Sequence, residues 1–215
     1  MRQKDVFLES EGDAWYARNA SDTHSRAGAD PDVLLAEILG LRPAPSRAAR
    51  VLEIGCGEGA RLASLKERLG CECYGVEPSA RAVAAASARG VRAEQGTADQ
   101  LPYADRSFEI VIFGFCLYLC DREDLFRIAS EADRVLRSPG WLLIQDFYSP
   151  VPTKREYRHR AGVFSYKMDY RQLFTWHPAY STYLHRLSHH VHGGYTDQAQ
   201  EWVAVSVLRK LADGQ

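Results

Sequence analysis

The sequence predicts an α/β protein whose mostly parallel sheet is covered by helices on both faces. Three observations carry that prediction. Between residues 50 and 147, short apolar runs alternate with longer helical patterns, the sign of right-handed crossovers between parallel strands. The first run, VLEIGCGEG at residues 51–59, breaks into three alternating glycines where a strand should hand over to a helix. At 215 residues, 46% of them hydrophobic, the chain can bury one large core but is short for two domains.

In order, RVLEIG reads as a strand and GARLASLKERLG as a helix closed by Gly70. CECYGVE is a second strand, and SARAVAAASARG a helix capped by Ser79 and ended by Gly90. VRAEQG and SFEIVIFGF are further strands, REDLFRIASEADRVL is an amphipathic helix, and a Pro139-Gly140 turn precedes the strand GWLLIQDF. Residues 1–49 read as a helical cap and a Pro/Ala/Arg linker, 50–147 as a cofactor-binding core, and 148–200 as a substrate-facing insertion rich in Tyr, His and Arg. Residues 201–215 form the last strand and tail, all within one domain.

Composition excludes several classes. Lys plus Arg (27) nearly balance Asp plus Glu (28), so no global field gathers nucleic acid. No stretch approaches the ~18 apolar residues of a membrane span. The N-terminus lacks an uninterrupted apolar leader, and five cysteines, an odd number, suit reduced core residues. The expectation is a cytoplasmic protein, monomer or homodimer, acting on a small molecule.

A strand, Gly55-x-Gly57-x-Gly59 and a helix make a nucleotide-binding turn in which the main chain touches the ligand. The dinucleotide spacing G-x-G-x-x-G is not met, and Glu53 inside the preceding strand repels a diphosphate, so a cationic or zwitterionic ligand is favoured. Glu77, ending the second strand, can accept both hydroxyls of an unphosphorylated ribose. Thr97, Ala98 and Asp99 fall where an adenine edge would lie.

These stretches, with GTADQLPYADRSFEIVIF and RVLRSPGWLLIQDF, resemble the class I S-adenosylmethionine-dependent methyltransferases over residues 50 to about 147. The resemblance implies a Rossmann-like seven-stranded sheet with an antiparallel last strand, S-adenosylmethionine as cofactor and S-adenosylhomocysteine as product. It implies that Glu53, Gly55, Cys56 and Gly57 face the methionine part, Glu77 and Pro78 the ribose, and Thr97 and Ala98 the adenine, with Phe113 and Gly114 beside the sulfonium. Thr97 stands where the family often has Asp. An N-terminal helix often closes over the cofactor in this family, and GDAWYARN would supply it, with Trp15, Tyr16 and Asn19 as contacts or as packing residues.

For catalysis, His177 in FTWHPAY and His159 in YRHRAG are base candidates, and Tyr118 and Asp146 stand near the expected acceptor. Each also has a packing, surface or capping reading. HRLSHHVHGG raises a metal cluster, but a strand there points His189 and His190 to opposite faces, so no metal is expected. Six tyrosines from Tyr148 to Tyr183, with Lys154, Arg155, Arg158 and Arg160, suit a polyhydroxylated or aromatic acceptor. FLESEGDAWYARN and YKMDYRQLFTWHP are similar to stretches of methyltransferases associated with bacterial surface sugars. The leading expectation is O-methylation of a sugar-like or other hydroxylated metabolite. The alternative is a catalytically silent cofactor-binding partner or regulator.

Overall fold

A computed structural model describes residues 2–26 and 32–212, with side chains described from 2 to 19 and from 32 onward. Parts of the expected cap (1 and 27–31) and tail (213–215) lie outside the described residues. The chain opens with α1 (Gln3–Val6), a π-helical turn (Phe7–Glu11), α2 (Gly12–Arg26) and α3 (Val33–Gly40). Then β1 (Arg50–Ile54), α4 (Ala60–Leu69), β2 (Glu72–Glu77), α5 (Ala80–Ala88), β3 (Arg92–Gln95) and β4 (Phe108–Gly114) alternate as the periodicity predicts. After them come α6 (Leu125–Val135), β5 (Leu136–Phe147), the hairpin β6 (Thr153–Glu156) and β7 (Phe164–Lys167), α7 (Gln172–Thr175), β8 (Tyr180–His189) and β9 (Trp202–Lys210).

Seven strands form one sheet in the order β3-β2-β1-β4-β5-β9-β8, while β6 and β7 pair separately. β9 runs antiparallel to both β5 and β8, so β8 points the same way as β1 to β5. This is the predicted sheet with its reversed last strand. Strand residues alternate between two cores. Leu52, Ile54, Val111 and Phe113 pack on the α6 side, and Val51, Ile110 and Ile112 pack with Leu34, Ile38, Leu62 and Leu65 of α3 and α4. Among the described residues, no helix is long and apolar enough to cross a membrane.

Two organisational expectations need correction. Pro139-Gly140 is no free turn before a strand. It lies inside β5, at an irregularity where pairing jumps from Phe108↔Leu136 to Ile110↔Trp141. A Cβ on Gly140 would come within 2.4 Å of the Arg137 carbonyl oxygen, so glycine is what the bulge admits. The 148–200 segment is not wholly an insertion either, because Tyr180–His189 is β8 of the main sheet. Tyr170 and Tyr180, two of its tyrosines, are buried in the core.

Candidate functional site

The glycine turn crosses the carboxyl ends of β1 and β2, with Gly55 N–H donating to the Val76 carbonyl at 2.8 Å. Gly55, Gly57 and Gly59 all have positive φ, at 76°, 53° and 71°. Their reasons differ. A side chain at Gly55 would strike Cys116 Cβ at 2.5 Å, and one at Gly59 would press on Ala86 and Val91, so both serve packing. Around Gly57 nothing stands within 4 Å of that position, so this glycine fronts the open side.

Glu77 closes the far wall. Its Oε2 accepts from Gly57 N–H at 3.0 Å and its Oε1 from Ser79 N–H at 3.1 Å. Burial raises its pKa against the pull of those two amides. A carboxylate has about four acceptor positions, so two remain. Ser79 caps α5 as expected, accepting from Ala82 N–H at 3.1 Å. Its hydroxyl in turn donates to Asp13 of α2 at 2.6 Å, and Asp13 also accepts from Arg81 N–H.

Glu53 departs from expectation in an instructive way. Strand alternation turns it toward α4, where Arg61 binds its Oε1 and donates through Nε to Asp32 at 2.8 and 3.0 Å. Glu53 is therefore no bare acidic lip. Two carboxyl groups share one guanidinium, and Glu53 Oε2 is buried with no hydrogen-bond partner. Burial pushes Glu53 up to about 7, with Arg61 opposing. Gly114 lies over this pair, since a Cβ there would approach Arg61 Nη1 at 2.7 Å and Glu53 Oε1 at 2.8 Å.

On the third side, Thr97 donates to Asp99 at 2.7 Å, and Lys4 of α1 pairs with the same carboxylate. Burial alone would raise Asp99, yet Lys4 and Thr97 hold it below its ordinary range. Arg2 and Gln3 fasten the same N-terminal segment: Arg2 bonds Asp124 at 2.8 Å, and buried Gln3 bonds the Leu119 and Phe164 carbonyls. From there α2 spans the mouth. Gly12 packs against Pro78 and Ser79, and Tyr16 donates to Glu58 at 3.2 Å. Trp15 Nε1–H meets the Tyr118 hydroxyl at 3.2 Å, and Arg18 reaches Tyr157 OH at 3.1 Å. Asn19 donates to the Trp15 carbonyl at 2.8 Å. The helix expected to close over a cofactor thus packs on Pro78 and Ser79 and bonds to Glu58 and Tyr118.

Gly57 thus meets Glu77, Gly114 lies over Glu53, and Gly12 of α2 packs on Pro78, while Ala98 is buried in the core. Cys56 and Phe113 adjoin Gly57 and Gly114 only through their backbones. The Cys56 side chain sits on β2 where a Cβ on Gly75 would meet its sulfur at 2.4 Å, and burial pushes its thiol far up. Phe113 is fully buried, 6.3 Å from Phe174 by ring centroids.

The catalytic candidates fare worse. His177 is exposed just before β8, whose first residue Tyr180 pairs with Lys210, itself paired with Gly140 in the amino-terminal half of β5. That is the amino end of the parallel strands, opposite the glycine turn, which removes His177 from the site. His159 is exposed on the β6–β7 hairpin, 5.2 Å from the Tyr157 ring. Asp146 is 2% exposed and does not face an acceptor. Its Oδ2 takes the N–H groups of Leu117 (2.8 Å) and Tyr118 (3.3 Å), and its Oδ1 takes that of Phe147 (2.8 Å). It is a cap that holds Tyr118 in position. Asp146→Ala is expected to cost about 2–4 kcal/mol in urea unfolding, because three amides lose their acceptor in a dry site. Burial raises the Tyr118 hydroxyl above its ordinary range, and Trp15 Nε1–H meets it at 3.2 Å.

Sequence reasoning missed Arg61, Asp32, Asp13, Lys4 and Phe115. Phe115 holds φ at 53°, uncommon for a residue with a side chain, and places its ring 5.4 Å from Phe147.

With this geometry in view, the comparisons are specific. A family profile described as a methyltransferase domain matches residues 52–144. The uncharacterized methyltransferase YcgJ of Bacillus subtilis is 36% identical over 109 residues, which are 47% of this chain and 42% of that protein, so the match spans less than half of the relative's length. Its crystal structure aligns at a TM-score of 0.61, with 17% identity, covering 85% of this chain and 97% of that one. A Burkholderia thailandensis 1,6-didemethyltoxoflavin-N1-methyltransferase, solved with bound 1,6-didemethyltoxoflavin and S-adenosylhomocysteine, aligns at 0.66 with 17% identity, covering 92% and 86%. A SAM-dependent methyltransferase of Methanosarcina mazei also aligns at 0.66, with 16% identity, covering 86% and 100%. Residues 52–144 match the methyltransferase-domain profile, and the chain has the fold of the class I S-adenosylmethionine-dependent methyltransferases.

Proposed function

We propose that this chain transfers the methyl group of S-adenosylmethionine to a small-molecule acceptor, and that the acceptor atom is a hydroxyl oxygen of a sugar-like or otherwise hydroxylated metabolite. The observation that carries the cofactor reading is the buried, unpartnered Glu53 Oε2 beside a glycine turn whose middle glycine has nothing before it. An ammonium group satisfies that oxygen, and a diphosphate does not. Bound there, the cofactor supplies an electrophilic methyl on a sulfonium. Glu53 holds its amino group, Glu77 accepts its ribose hydroxyls, and Thr97 with Ala98 frames the adenine. Trp15, Tyr16 and Asn19 on α2 shut the mouth against water. With a good leaving group, alignment of the nucleophile supplies much of the rate.

The acceptor reading is supported by the aromatic wall of Phe115, Tyr118 and Phe147, with Tyr118 and Phe147 rings 4.9 Å apart. Such faces suit a sugar ring or a planar phenol. A second reading, cofactor binding without turnover, is favoured by the burial of Asp146 and the remote placement of His177. Release of S-adenosylhomocysteine over a panel of hydroxylated acceptors separates the two.

Calorimetry with S-adenosylmethionine and S-adenosylhomocysteine tests the cofactor assignment. Saturable binding is expected, and no heat from either at high micromolar concentration rejects it. The pH dependence follows from Glu53. Its folded pKa is raised from 4.5 to about 7, so the free protein keeps a proton that the unfolded chain has lost. Its contribution to stability therefore declines as pH rises through that window, while affinity for an ammonium ligand, which needs the carboxylate, increases. Roughly a tenfold gain in affinity is expected between about pH 5.5 and pH 7. Glu53→Gln should flatten the profile, and an unchanged slope in that variant would contradict the role.

A further inference from the structure

The histidine-rich stretch that the methyl-transfer reading leaves unused is resolved by the fold into a compact group. β8 ends at His189, and the chain turns back through Gly193, whose φ is 65°. His190 therefore lies beyond the strand and does not point away from its neighbour, contrary to the expectation from strand alternation. The two rings stack, 15° from parallel and 5.4 Å between centroids. The ring of His192 stacks on His189 from 4.5 Å. On the opposing arm, His190 N–H donates to the Glu201 carbonyl at 3.0 Å, which fixes the two residues across the hairpin. Glu201 Oε2 then stands 2.7 Å from His190 Nδ1.

We infer that His189, His190 and Glu201 form a binding site for a divalent transition-metal ion of the zinc class. One ligand atom from each lies within 4.8 Å of the others. Ligands of a tetrahedral zinc at about 2.0–2.1 Å stand roughly 3.3 Å apart, so closure needs movements of about an ångström. The His190 and Glu201 side chains are 30% and 31% exposed and can make them. His189 Nδ1 accepts from the N–H groups of Val191 (3.0 Å) and His192 (3.3 Å), which fix the orientation of its ring. Binding through His189 gives up those two contacts. Lys167 does not neutralise the carboxylate by bonding it, since its ammonium donates to the Gln200 carbonyl.

Two imidazoles and one carboxylate select zinc, cobalt or nickel over magnesium or calcium, which prefer oxygen alone. Three protein ligands leave coordination positions open to water or to an acceptor oxygen. The site's location matters for that. Phe147 packs 5.8 Å from His190 on one side and 4.9 Å from Tyr118 on the other. The ion would stand on the acceptor side of the mouth.

The inference does not depend on methyl transfer, and its test uses the full chain without cofactor. After stripping with a chelator, the protein is titrated calorimetrically with zinc chloride and, separately, manganese chloride, and its Co2+ form is examined by absorption. One zinc per chain at micromolar concentration is expected, with manganese weaker. His190→Ala and the near-isosteric Glu201→Gln should each weaken zinc at least about tenfold while far-UV circular dichroism stays unchanged. His177→Ala, at the other end of the sheet, should bind as wild type. No zinc binding, binding undiminished in both variants, or a cobalt spectrum showing thiolate charge transfer would overturn the assignment.

Discussion

Gly55→Ala is expected to destabilise the protein by about 3 kcal/mol or more, whereas Gly57→Ala two residues away costs only about 1–2 kcal/mol. Both glycines have positive φ, so both variants bear the left-handed penalty. Only at Gly55 does the new methyl also collide, with Cys116 Cβ at 2.5 Å on the loop after β4. Neither side can yield easily, because the Val76 carbonyl fixes the turn and Asp146 fixes the following Leu117 and Tyr118 amides. Cofactor affinity should show the opposite order. Gly57→Ala puts a methyl into the open side of the turn, and its affinity loss should exceed its stability loss. Urea midpoints and calorimetry on the two variants check this. Equal stability costs would mean that the Cys116 contact relaxes freely.

Glu77→Ala is the second large effect. Cofactor affinity should fall by about 1–3 kcal/mol, roughly 5- to 150-fold, as charged hydrogen bonds to ribose are lost. The same substitution strips an acceptor from Gly57 N–H and Ser79 N–H. A stability cost of similar size is therefore expected, and affinity is measured well below the melting transition. Unchanged affinity in a folded variant would contradict the assignment of Glu77.

Much of the mouth was legible because its parts are local. A strand, three glycines, a Ser79 cap and a carboxylate at a strand end occupy 27 consecutive positions, 51–77, or adjoin them, and each announces a backbone requirement. The Arg61 clamp was not legible. Asp32 and Arg61 are 29 positions apart, and nothing local says that α3 delivers its cap residue to α4. Similarly, Lys4 and Asp99 are joined only by the docking of α1.

β8 failed for another reason. As an edge strand its burial is mixed along its length, so it lacks the apolar run that betrays β4, and its aromatic residues read as a ligand surface. Placing Tyr180–His189 in an insertion put His177 beside the acceptor. Its actual direction, parallel to β5, sends the start of the strand to the opposite end of the sheet. The same topology carries the strand's last residue, His189, and the adjoining His190 to the end of the sheet where the glycine turn lies.

The most direct measurement is a crystal structure grown with S-adenosylhomocysteine. The amino group of the ligand is expected within hydrogen-bond distance of Glu53 Oε2, with the ribose hydroxyls on Glu77 and the main chain of Gly57 against the ligand. A nucleoside bound away from these carboxylates, or Glu53 still unpartnered with ligand present, would contradict the account.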